Sequence, residues 1–226
     1  MLMCWKVKEG RYDPPPPLIE RRFFGSIQAY FTKCFKNAKY NWLYVGATLW
    51  SVSAIGVSFF GVFFAGQNLG LSFDQYGKII AAGSIFTMSL LYPLGWLCDK
   101  ISPLIVNALG LFTMMLFSLL GFFCINGQIS LLIFTLLAAV SSAFVNASNL
   151  PMYVTVFPKD NFGQFFSAYQ LISCIVGMFA NVAVGKIIDL IGNYRYIYVW
   201  SAVFAGIAGL CIINTLRNLK NRKQEV

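Results

Sequence analysis

This chain has no histidine, and only eight of its 226 residues are acidic. Without an imidazole there is no histidine metal ligand, no histidine general base and no Ser-His triad. The six cysteines, Cys4, Cys34, Cys98, Cys124, Cys174 and Cys211, form no C-x-x-C pair and several sit inside apolar runs. They read as small packing residues. Six long apolar runs carry no Asp, Glu, Lys or Arg at their middles, so the sequence offers no intramembrane carboxylate to bind a coupling proton or sodium ion. An intramembrane hydrolase, which needs a nucleophile and a base, is excluded on the same grounds. No metal, cofactor or enzymatic activity is expected.

What remains is overwhelmingly apolar. Hydrophobic residues make up 58% and charged residues 11% of the sequence, and the mean hydropathy is +0.68. A soluble domain of this size does not carry such a balance, so the chain is an integral membrane protein. Six spans are predicted at roughly Tyr40 to Ala65, Tyr76 to Leu97, Leu104 to Cys124, Ile129 to Tyr153, Gly163 to Ile188 and Tyr196 to Leu216. Each is long enough, at about 1.5 Å per residue, to cross a core of about 30 Å. Of the 17 lysines and arginines, only Lys78, Lys186 and Arg195 fall on one side of this layout. The positive excess on the other side places both termini in the cytoplasm. Anionic inner-leaflet lipid, rather than nucleic acid, is the expected partner of that charge. Trp42, Tyr92, Trp96, Tyr153, Tyr194 and Tyr198 near span ends fit an interfacial aromatic belt.

Three regions follow. Residues 1–39 form a cytoplasmic linker, 40–216 a six-helix transmembrane bundle, and 217–226 a basic cytoplasmic tail. Within the linker, Pro14 to Pro17 predict an extended polyproline spacer. From Arg21 to Lys39, Phe23, Phe24, Ile27, Tyr30, Phe31, Cys34 and Phe35 recur at helical spacing, opposite a basic face. That helix either lies in the headgroup region or packs on the ends of the spans.

Polar side chains form stripes on three spans. Tyr44, Thr48 and Ser51 share a face of the first, Ser142, Asn146 and Asn149 a face of the fourth, and Gln170 and Ser173 a face of the fifth with Gly177 and Asn181. Pro151 is expected to break the fourth helix. Amides and hydroxyls so placed exchange hydrogen bonds with an uncharged polyol, on whose ring Trp50 or Tyr169 would stack. The competing reading is interhelical glue. The sixth span carries Ala202-x-x-x-Gly206 and Ala205-x-x-x-Gly209, small residues one turn apart that suit close helix contact. Lys186, Asp189 and Arg195 read as solvated span ends, with an Asp189–Arg195 ion pair as an option.

The run Pro93-Leu94-Gly95-Trp96-Leu97-Cys98-Asp99-Lys100 reads as a tight turn between the second and third spans. Its Gly-x-x-x-Asp-Lys core, Gly95, Asp99 and Lys100, resembles the loop motif of the major facilitator superfamily, although Ile101, Ser102 and Pro103 replace the usual continuation. A second Gly-x-x-x-Asp, Gly185 to Asp189, closes the fifth span ninety residues later. The echo is in register if the six spans are two inverted three-helix repeats. Over nearly its whole length the chain resembles the C-terminal half of such a transporter. Val7 to Pro16 and Gly192 to Tyr196 are similar to the glycoside-pentoside-hexuronide sugar:cation symporter group. The resemblance implies an all-α membrane protein, one half of a major facilitator fold in a bacterial inner membrane. It implies transport of a small polar solute, a sugar, by a half-length or split secondary transporter, with the first and fourth spans lining the path. A second six-helix bundle, either a separate N-terminal half or a second copy, would complete it. In the alternative, the chain is a non-transporting membrane subunit or fragment that assembles with or regulates an intact transporter. The resemblance also implies that Gly95 lets two helices approach and that Asp99 meets the first N–H groups of the fifth span, where the helix dipole favours an anion.

Overall fold

A computed structural model of the chain describes residues 38–223, together with Tyr30, Thr32, Cys34 and Phe35. Six long helices dominate the described residues: α1 (Ala38–Phe63), α2 (Phe73–Lys100), α3 (Pro103–Cys124), α4 (Gln128–Val156), α5 (Phe162–Ile191) and α6 (Tyr196–Lys223). All six are long and apolar enough to cross a membrane, the shortest being the 22 residues of α3, or about 33 Å. The end of the bundle where α1 starts and α6 finishes is called the near end below, and the opposite one the far end. The linker, the proline run and most of the predicted amphipathic helix lie outside the described residues.

Local chemistry sets the helix ends. α1 closes in a π-helical turn, Phe64–Asn68, and Leu71 N–H returns to the Ala65 carbonyl at 3.0 Å. Ser72 caps α2, its hydroxyl accepting from Gln75 N–H while the Gln75 side chain accepts from Ser72 N–H. Pro103 opens α3, where a missing N–H costs nothing. Gly192 ends α5 in the left-handed conformation at φ 69°. Two prolines do not act as breakers: α2 runs through Pro93 to Lys100 and α4 through Pro151 to Val156. The expected turn at Pro93–Lys100 is therefore the last two turns of α2, and the connection itself is only Ile101 and Ser102. Tertiary packing decides this, since proline removes one hydrogen bond while the buried Cys98, Met152, Tyr153 and Val156 anchor the turns beyond.

The packing of the helices has an internal symmetry. α1 packs on α6 and α5, α4 on α3 and α2, and α3 on α6, while α2–α3 and α5–α6 touch only lightly. Exchanging α1 with α4, α2 with α5 and α3 with α6 returns the same set of pairs. This is the signature of two three-helix repeats, and because successive spans run in opposite directions the second repeat is inverted. α3 and α6 form the backbone of the arrangement, and α2 and α5 are its most exposed members.

Small residues let the central helices close. A methyl group at Gly206 or Gly209 would stand 2.7 Å from Met115 Sδ or 3.1 Å from the Phe112 ring, so the small-residue pattern of α6 faces α3 as expected. Gly110 of α3 is tighter against α4: a methyl there would lie 2.8 Å from Phe144 Cβ and 3.1 Å from the Ser141 carbonyl. Buried polar pairs add to the contact. Asn107 donates to Ser148 at 3.0 Å, Ser118 to Ser201 at 3.3 Å, and Trp200 Nε1 to the Val52 carbonyl at 2.9 Å. Of the described cysteines, Cys34, Cys98 and Cys211 are buried, whereas Cys124 and Cys174 are exposed.

Candidate functional site

The three polar stripes meet different fates. On α1, Tyr44 and Thr48 are buried. Tyr44 donates to the Phe165 carbonyl at 3.4 Å and Thr48 pairs with Ser173 of α5 at 3.3 Å, while Ser51 bonds back to the Ala47 carbonyl. This stripe therefore holds α1 against α5, as does the Ser173 end of the α5 stripe. Asn181 turns back to the Gly177 carbonyl, and Gln170 is exposed. A groove of about 410 Å³ opens beside the Thr48–Ser173 contact, lined by Phe35, Asn41, Tyr44, Val45, Thr48, Leu49, Ile172 and Val176. Its walls are mostly apolar, which suits the body of a ligand rather than its polar groups.

On α4 the outcome is the reverse. Ser142 and Asn149 are half-buried and Asn146 is exposed, and none of the three makes a hydrogen bond among the described residues. Neighbouring Ser148, on a different face, is fully engaged with Asn107 and the Phe144 and Val145 carbonyls. An amide turned to hydrocarbon without a partner costs several kcal/mol, so these amides need water, a solute or another protein surface.

The stripe has a fourth member that the sequence reading assigned elsewhere. Tyr153 lies four residues beyond Asn149 and eleven beyond Ser142, on the same helical face. Read from the sequence as an interfacial aromatic, it is instead 2% exposed. Its ring lies 5.0 Å from Tyr169, 5.3 Å from Phe166 and 5.7 Å from Phe157. Tyr40 and Tyr44 of α1 reach the same Phe157 at 5.9 and 5.7 Å, and Phe165 joins from α5. α1, α4 and α5 thus meet at the near end through a continuous cluster of rings. The Tyr153 hydroxyl is buried there beside the Tyr169 side chain and makes no hydrogen bond of good geometry among the described residues. Tyr169, expected as a stacking surface, is spent on this cluster, and Trp50 packs against the same core.

Tyr30 and Phe35, before α1, pack against that cluster. Tyr30 donates to the Gln164 carbonyl at 3.1 Å and shares a 2.9 Å hydrogen bond with Ser167, while the Phe35 ring lies 5.5 Å from Tyr44. The described residues of this segment thus contact the start of α5 and Tyr44 of α1.

The Gly95–Lys100 motif behaves differently from its expectation. Nothing lies within 4 Å of a methyl placed on Gly95, so no helix of this bundle approaches there. Asp99 is exposed and accepts no hydrogen bond among the described residues, because α2 packs on α4 while α5 packs on α1. Lys100 stands over the Trp96 ring at 3.8 Å. Arg195 also departs from its expectation. It makes no ion pair with Asp189 but is bonded to carbonyls of α3, and the one ion pair among the described residues is Asp74–Lys78. No group of metal-ligating side chains occurs among the described residues.

A single-bundle, inverted-repeat membrane fold narrows the possibilities, and one comparison decides among them: a family model for the Major Facilitator Superfamily matches residues 43–225. The chain belongs to the major facilitator superfamily. No curated protein and no solved structure matches it. Membership agrees with the six-span, all-α architecture, one half of the major facilitator fold. It also points to membrane transport of a small solute, in a family that is typically non-enzymatic.

Proposed function

We propose that this chain is one half of a secondary transporter for a small polar solute of the sugar class. The observation that carries the reading is the unpartnered stripe of Ser142, Asn146 and Asn149 on a membrane span, closed at one end by Tyr153. Neutral amides and hydroxyls suit a polyhydroxylated, uncharged solute. The path is completed by a second six-helix bundle, either a separate N-terminal half or another copy of this chain. In the family's architecture the site lies between two bundles and alternating access is the rocking of one against the other. Both termini lie on the cytoplasmic side, as the distribution of Lys and Arg argues, and the resemblance to bacterial symporters supports a bacterial inner membrane.

Purified alone and reconstituted in liposomes, the chain is expected to give no gradient-driven accumulation of any member of a panel of radiolabelled sugars, with sodium or with protons. It has no mid-span carboxylate on which a coupling ion would bind. Co-reconstitution with a complementary six-span bundle is expected to restore uptake. Accumulation by the chain alone would refute the half-transporter reading, and simple equilibration would show that two copies act as a uniporter. A second reading is favoured by the α1 stripe, whose polar groups are spent on packing: the chain is a non-transporting subunit that assembles with an intact transporter. A neighbouring reading frame for six further spans distinguishes the first reading from the second.

A further inference from the structure

The far end of the bundle carries a clamp that the transport reading does not use. Three loops meet there: 69–72 between α1 and α2, 125–127 between α3 and α4, and 192–195 between α5 and α6. Arg195 is half-buried, and its guanidinium donates to the carbonyls of Phe122 at 3.2 Å and Ile125 at 2.6 Å and to Asn126 Oδ1 at 2.9 Å. It thereby satisfies carbonyls at the C-terminus of α3 and places a cation where that helix end carries partial negative charge. Asn193 extends the contact. Its Oδ1 accepts from Arg195 N–H and from Asn68 Nδ2, both at 2.9 Å, and Asn68 belongs to the π-helical turn that ends α1. The left-handed Gly192 turns the chain so that both side chains face inward over the loops. Ring contacts run beside these bonds, Tyr194 with Phe63 and Tyr196 with Phe122.

We infer that Arg195 and Asn193 lock the three far-end loops into one body, so that the far ends of the spans open and close together rather than singly. A planar, five-donor fork is needed for this, because one side chain reaches two carbonyls and an amide oxygen at once. The near end is built otherwise. There α1, α4 and α5 meet chiefly through aromatic rings, which slide past one another without breaking charge-assisted hydrogen bonds. Rearrangement within this bundle is accordingly confined to the near end.

Hydrogen–deuterium exchange on the full-length chain in lipid nanodiscs tests the clamp directly, since each loop carries a bonded amide to follow: Leu71 to Ala65, Ile125 to Gly121 and Ile197 to Tyr194. Arg195→Ala is expected to speed exchange by roughly tenfold or more, through loss of charged hydrogen bonds, in 122–127 and 192–198 together, with a smaller increase in 65–72, which stays tied through Asn68 to Asn193. The near-end amides Ile101 and Val106 should keep their wild-type rates. Arg195→Lys, which keeps the charge and loses the fork, should give a smaller increase in the same three segments and covers the case in which the alanine variant does not fold. Asn193→Ala should release 65–72 and 192–198 while leaving 125–127 protected. Faster exchange in 192–198 alone after Arg195→Ala, or an equal increase at both ends of the bundle, would overturn the inference.

Discussion

Gly110→Ala should destabilise the bundle by about 2–3 kcal/mol, read as a fall in thermal unfolding temperature in detergent. The added methyl would lie 2.8 Å from Phe144 Cβ and from Val145 Cγ2 and 3.1 Å from the Ser141 carbonyl. Two of those atoms are held by the α4 backbone, so α3 and α4 would have to separate. They would carry with them the Asn107–Ser148 hydrogen bond, the buried polar tie between the same two helices. Gly206→Ala is the control. Its methyl meets Met115 Sδ at 2.7 Å, the far end of a flexible side chain, and is expected to cost less than about 1 kcal/mol because a thioether yields. If both glycines tolerate alanine equally, the close approach of α3 and α4 described above is wrong.

The second large effect is at Tyr153. Truncation to alanine removes a fully buried ring that touches Phe157, Phe166 and Tyr169 and should cost about 3–5 kcal/mol. Tyr153→Phe should behave in the opposite sense. The hydroxyl makes no hydrogen bond of good geometry among the described residues and has only the Tyr169 side chain beside it, so deleting it removes a poorly compensated desolvation penalty and is expected to raise stability by up to about 1 kcal/mol. The pair of variants separates packing from polarity. Thermal unfolding of both in one detergent is sufficient, and a Tyr153→Phe protein less stable than wild type would mean that the hydroxyl has a partner the closed cluster does not show.

These two positions also mark how far the sequence could be read. The spans were legible because hydropathy over twenty residues is a strong signal, and the α4 stripe because spacings of four and three place Ser142, Asn146 and Asn149 on one face whatever surrounds them. The repeat was legible only as an echo of Gly-x-x-x-Asp, and the symmetric packing of the helices supports it independently of those residues. Tyr153 was misassigned because a tyrosine near a span end reads alike as an interfacial anchor or a core residue. Only the approach of Phe157 and Tyr169 decides between them. Arg195 was missed for a related reason: its partners Phe122, Ile125 and Asn126 lie about seventy residues away in sequence, and no local pattern announces a cation that caps another helix. The α1 and α4 stripes look equivalent as text. They differ in structure because α5 brings Ser173 to Thr48, while Asn146 is exposed and has no hydrogen bond among the described residues.

The helix-terminus partner expected for Asp99 failed on topology rather than chemistry. An aspartate at the end of α2 can meet only what packs beside α2, and that is α4. The carboxylate and the open space over Gly95 are both left at the surface. The same holds for Pro151, where local propensity predicted a break and tertiary packing carried the helix through.

The central claim is that Ser142, Asn146 and Asn149 line a water-accessible path rather than a lipid-facing stripe, and thiol accessibility in native membranes tests it most directly. In a chain whose six cysteines are replaced by alanine, Asn146→Cys should react with a small water-soluble methanethiosulfonate at a rate near that of Gln128→Cys, at the exposed start of α4. Leu210→Cys, on the exposed apolar face of α6, should not react. Asn146→Cys as inert as Leu210→Cys would contradict the account.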